Sequence, residues 1–204
     1  ETITEAVVTD APAETTTPTV DAASFTKLSK GGKVAFVSNR QADGYDQIWL
    51  MSVGKDGAGN IIATDFEQVT FSEGNKSNPS WSPDGSKLIY SGLSTDFSVN
   101  GTPFADDIWI LDVTKENAEP VDISKMAGDD KYPAWSPAGD VIAFTNYSRE
   151  DKIPQLYTVN PEGTKFNLLQ DPDTKIVYAD SYAAFTPNGE WLLYVYTTGG
   201  LDVL

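Results

Sequence analysis

The sequence contains neither cysteine nor histidine. Without cysteine there is no disulfide framework and no thiol nucleophile. Without histidine the commonest general base and the commonest transition-metal ligand are missing. Basic residues are scarce: 14 Lys and Arg stand against 30 Asp and Glu, a net charge of −16. That sign repels phosphates and argues against nucleic-acid binding, while favouring solubility and basic or cationic partners. No apolar run reaches the roughly 18 residues that a membrane-spanning helix needs, and no signal-peptide leader is visible. The chain starts at Glu1 rather than methionine, which gives the expectation of a processed start with any leader or anchor upstream. Gly-x-Ser-x-Gly elbows and phosphate-cradling loops are absent as well. Paired carboxylates could run glycoside chemistry only at a separation that sequence does not supply. The expectation is a non-catalytic chain.

What is present is a repeat. Trp81-Ser82-Pro83-Asp84-Gly85 recurs as Trp135-Ser136-Pro137-Ala138-Gly139 and, loosened, as Phe185-Thr186-Pro187-Asn188-Gly189. A small residue precedes each aromatic (Ser80, Ala134, Ala184), and an apolar run follows each glycine. Proline sets φ for a turn, and Asp/Asn-Gly supplies the residue that tolerates positive φ. A strand ending in an aromatic, a turn and a second β-rich run make a hairpin. Trp81, Trp135 and Phe185 are then anchors packed between stacked sheets rather than ligand contacts. A period of about 40–50 residues with such a signature points to stacked units, a propeller first among them.

Further strands complete each unit. Residues 33–39, 46–51 and 67–70 provide three strands of a first unit, whose inner strand is degenerate near Phe25 or missing. Residues 79–123 make a second unit, 133–169 a third, and 183–196 open a fourth. Four antiparallel strands per unit is the plan of a propeller blade, and no helical periodicity contests it. The expected fold is therefore all-β: an incomplete β-propeller of about three blades plus part of a fourth, over residues 25–204. Residues 1–24, rich in Thr, Pro, Ala and acids and devoid of Lys and Arg, cannot bury a core of their own and read as a tether or docking arm. Ile3, Val7 and Val8 are the apolar side chains by which that arm would lie on its own domain or on a neighbouring chain.

Residues 81–90, Trp-Ser-Pro-Asp-Gly-Ser-Lys-Leu-Ile-Tyr, together with Phe36-Val37-Ser38-Asn39-Arg40, Asp43-Gly44 and Asp46-Gln47-Ile48-Trp49, resemble the WD-repeat-like blades of TolB-type β-propellers. The resemblance covers residues 33–204 and departs at Ala138 and at Phe185-Thr186. It implies a periplasmic or extracellular protein, possessing no enzymatic site in this segment, that acts as an interaction or scaffolding subunit of a larger, envelope-associated assembly. It also leaves open a gating propeller of a serine peptidase or a propeller lyase, and a carbohydrate-binding propeller.

Candidate contacts follow from loops gathered on one face of a rigid scaffold. The segments leading into each inner strand offer Asn78, then Asp130, Lys131 and Tyr132, then Asp180 and Tyr182. Aromatics with polar tips suit protein or carbohydrate surfaces. The long loop 91–106 carries Phe97, Val99 and Phe104, which call for burial beneath the loop or in a partner. Asp43, Asp46, Asp96, Asp106, Asp107, Asp129 and Asp130 form a pool of oxygen ligands, so calcium is the cofactor to consider. No Asp-x-Asp-x-Asp-Gly loop supports it, and no cofactor is expected.

Overall fold

A computed structural model describes residues 32–41, 44–94, 105–147, 154–169 and 181–195. The arm, with Ile3, Val7 and Val8, lies outside them, as do Phe25, Phe97, Val99, Phe104 and Asp180. The described chain is all β-strand and turn. β1 (Gly32–Ser38), β2 (Gln47–Lys55) and β3 (Ile61–Gln68) form a three-stranded sheet. β4 (Lys76–Trp81), β5 (Lys87–Ser94), β6 (Ala105–Asp112) and β7 (Val121–Asp122) form the second sheet. β8 (Asp129–Trp135), β9 (Ile142–Tyr147), β10 (Pro154–Val159) and β11 (Asn167–Leu168) form the third, and β12 (Ser181–Phe185) pairs with β13 (Leu192–Val195). Each sheet is a meander of antiparallel neighbours.

The apolar alternation of each strand is satisfied by the next sheet, not within its own. Ile48 and Leu50 of the first sheet pack with Leu88, Tyr90 and Leu111 of the second. The opposite face of the second sheet, Ile89, Ile108 and nearby Ile123, meets Trp135, Ile142, Phe144 and Val159. Ala143 and Leu156 then meet Ala183, with Phe185 and Leu192 beside them. Leu88, Ile89, Ile108, Ile142 and Phe144 are fully buried, each worth about 1.5–3 kcal/mol relative to exposure. The three motif aromatics occupy equivalent places: Trp81, Trp135 and Phe185 each pack into the layer shared with the preceding sheet. Leu193, the equivalent of Ile89 and Ala143, is 60% exposed, since no further sheet stands against it among the described residues.

The motif turn explains why proline and glycine suffice to preserve it. Gly85, Gly139 and Gly189 adopt φ of 72°, 77° and 74° and donate to the carbonyls of Ser82, Ser136 and Thr186. The side-chain hydroxyls of those three residues accept from the backbone N–H of Lys87, Val141 and Trp191. Where Ala138 replaces the aspartate, Asp140 accepts from Ser136 Oγ instead (2.9 Å). Where Thr186 replaces serine, Asn188 accepts its hydroxyl proton (2.6 Å). The substitutions at the third and fourth units therefore change the partner and keep the turn.

Candidate functional site

The inner strands start earlier than the sequence pattern predicts. Residues 76–78 and 129–132, together with Tyr182, lie within β4, β8 and β12 rather than in the loops before them. The reason is a β-bulge at one repeated position: the register shifts between Ser77 and Ser80, between Lys131 and Ala134, and between Ser181 and Ala184. At each bulge one residue takes a left-handed backbone, Asn78 at φ 53°, Tyr132 at 57° and Tyr182 at 51°. Such φ is cheap for asparagine and strained for tyrosine. Bulges beside binding sites re-aim a side chain, and here two of them aim rings at each other. Tyr132 and Tyr182, from adjacent sheets, lie 4.6 Å between centroids at an interplanar angle of 41°. Tyr182 is 64% exposed, and Asn78 and Tyr132 are half-buried.

Below this pair the chain buries polar groups at the sheet end opposite the motif turns. Asp130 is fully buried, which corrects its assignment as a partner contact: its Oδ1 accepts from Asn146 Nδ2 at 2.6 Å, and its Oδ2 has no partner. Burial pushes its carboxyl up to about 7, against the pull of the nearby Ser124 hydroxyl and the Asn146 amide, with Asp122 and Asp129 adding repulsion. Asp107 is buried too, and burial followed by repulsion from Asp122 holds its carboxyl well above the usual range. Lys131 remains at the surface edge, ion-paired with Asp106 at 3.2 Å. Among the described residues no three carboxylates gather in a way that could hold a metal ion; Asp43 and Asp96 lie outside those residues.

Lys76 sits at the position that Asp130 fills one sheet later. It is almost wholly buried, and its Nζ donates to the carbonyls of Ser72 (3.2 Å), Glu73 (2.8 Å) and Gly74 (2.6 Å). Burial pushes the ammonium down to about 8, with Asp106 opposing. Its stem lies against Gly92, where a Cβ would meet Lys76 Cδ at 2.7 Å. Sequence reasoning missed this lysine and, although it named Asp107 among possible oxygen ligands, missed that side chain's burial, since charged residues read as solvated surface. Aligning the repeats puts Asp107 at the position equivalent to Gln47, itself 2% exposed.

No family model matches the chain. It is 28% identical over 122 residues to the uncharacterized peptidase YuxL of Bacillus subtilis, a match covering 60% of this chain and 17% of that protein. TolB from Acinetobacter baumannii superposes over 83% of this chain and 37% of its own, with a TM-score of 0.51 and 21% identity. A putative TolB from Agrobacterium tumefaciens matches over 81% and 71% respectively, at 17% identity and a TM-score of 0.47. The chain thus spans well under half the length of YuxL and of the Acinetobacter protein. Stacked antiparallel meanders, two of them four-stranded, with the second, third and fourth each anchored on its predecessor through a motif aromatic, give this chain the TolB-like β-propeller fold.

Proposed function

We propose that the chain is a non-catalytic, extracytoplasmic β-propeller segment that serves as a protein-interaction or scaffolding module. The observation that carries this reading is the Tyr132–Tyr182 pair. Two tyrosines are held in a backbone conformation costing about 1–2 kcal/mol each to present a tilted pair of rings in mutual contact at one end of the inner strands. Strain retained at a surface is characteristic of a site that uses it, and exposed aromatics on rigid elements make good anchors. The acidic surface selects partners of complementary charge. Among the described residues no helix is long and apolar enough to cross a membrane.

Site-specific photocrosslinking tests the reading. A photoreactive phenylalanine at Tyr182, in the protein's native cells, is expected to yield a discrete protein adduct that the same probe at Pro83, on the opposite end of the blades, does not. Equal labelling at both positions, or none at Tyr182, overturns it.

Likeness to YuxL favours a second reading, in which the propeller accompanies a peptidase domain. Labelling of the natural full-length protein by a fluorophosphonate serine probe would support that alternative.

A further inference from the structure

Between the first and second sheets the outer edges diverge and leave a groove of about 650 Å³. Its cause is a mismatch in edge strands: β3 runs for 8 residues, whereas β7 has only 2 and pairs with β6 at Trp109 and Ile110 alone. The loop between β6 and β7 forms one wall, and the segment after β3 forms the other. The floor is apolar, made of Leu50, Leu93, Trp109 and Leu111. At the lip Phe71 stands 75% exposed.

Charge on the rim is predominantly negative. Glu67, Glu73, Glu116 and Glu119 all line the groove and are exposed. The cation on this rim, Lys115, is already paired with Asp112 at 2.9 Å. An apolar trough and a carboxylate rim ask for an occupant with alternating apolar and cationic side chains.

We propose that this groove docks an extended basic segment of a partner protein, seating apolar side chains on the Trp109 floor and lysines or arginines against the glutamates. The inference deepens the reading as an interaction module, yet it uses a different face from the tyrosine pair. The two tests therefore fail independently.

The probe is a fluorescein-labelled peptide of alternating lysine and leucine, with a glutamate–leucine peptide as its counterpart, measured by anisotropy on the full chain. The lysine peptide is expected to bind and the glutamate peptide not. Glu67→Lys combined with Glu116→Lys should weaken binding about tenfold or more, as loss of charge complementarity predicts. Phe71→Ala should weaken it further, and Tyr182→Ala should leave it unchanged. Glu162→Lys with Glu190→Lys makes the same change of net charge on the third and fourth units and should have little effect. Equal weakening by the two pairs reduces the attraction to overall charge and overturns the proposal. So does binding that ignores the groove pair, or no binding of the lysine peptide at all. All six positions changed in the groove and control variants are exposed, and thermal melts are to check that each variant is folded.

Discussion

Pro83 and Gly139 face each other across two sheets: a Cβ built on Gly139 would lie 3.7 Å from Pro83 Cδ. The same relation recurs one step on, between Pro137 and Gly189, again at 3.7 Å. Successive motif turns therefore nest, each proline under the glycine of the next unit. Space at these glycines is ordinary van der Waals space, so backbone conformation alone sets the penalty for a side chain.

Gly139→Ala should lower stability by about 1–2 kcal/mol, the cost of holding alanine at φ 77°. Gly128→Ala should cost considerably more, because its φ is 111° and its Cβ would meet the Tyr147 carbonyl oxygen at 2.4 Å. Urea denaturation of both variants tests the ranking. Equal losses would mean that the backbone around Tyr147 yields, contrary to its place in a buried ladder.

At the strained bulge, Tyr182→Gly and Tyr182→Ala both remove the ring contact with Tyr132. Only alanine keeps the penalty of a Cβ at φ 51°. The glycine variant should be the more stable by roughly 1 kcal/mol, less the extra entropy of unfolded glycine. Thermal melts that rank alanine above glycine would show the bulge relaxing once the ring is gone.

Lys76→Met keeps most of the buried stem and removes the ammonium. The carbonyls of Ser72, Glu73 and Gly74 then lose their shared donor. A loss of about 2–4 kcal/mol is expected, since acceptors left without a partner carry their desolvation penalty. Faster proteolysis within residues 72–74 should accompany it. Unchanged stability and unchanged cleavage would mean that water replaces the ammonium at no cost.

The buried acids predict the pH profile. Asp130 titrates near 7 in the folded state, against about 4 for a free aspartate, and Asp107 is raised likewise. Between those values the native protein holds protons that the unfolded chain has released, so stability falls as pH rises from about 4 through 7. Asp84 and Asp112, lowered to about 2 by hydrogen bonds within their turns, act with the opposite sign only at more acid pH. Asp107→Asn should flatten the decline and raise stability at pH 8 by on the order of 1–2 kcal/mol. A wild-type profile that climbs across this window would contradict the burial of both groups.

Much of the architecture was readable from spacing. The aromatic, proline and glycine of each motif mark a turn whose hydrogen bonds depend on backbone geometry, so the loss of Asp84's counterpart at Ala138 did not hide it. The start of the inner strands was not readable. Asn78-Pro79 and Tyr132-Pro133 look like loop, since proline interrupts a strand and the flanking residues are polar. A bulge absorbs the interruption and the strand continues. The candidate site was legible at Tyr132 and Tyr182 through their repeat position, whereas the burial of Asp107, Asp130 and Lys76 was not. Local sequence does not distinguish a buried charge from a solvated one; the carbonyls that hold Lys76 belong to a loop whose path is set by packing between sheets.

The three apolar layers are separate, each shared by only two neighbouring sheets. Free energy in such a stack is stored at the seams, as in a row of coupled units where every member senses only those beside it. Truncating Phe144 loosens the seam between the second and third sheets directly, while the seam holding Ile48 against Tyr90 is affected only through the second sheet. Damage at one seam should therefore propagate as unzipping from that point along the row of sheets rather than as a uniform softening.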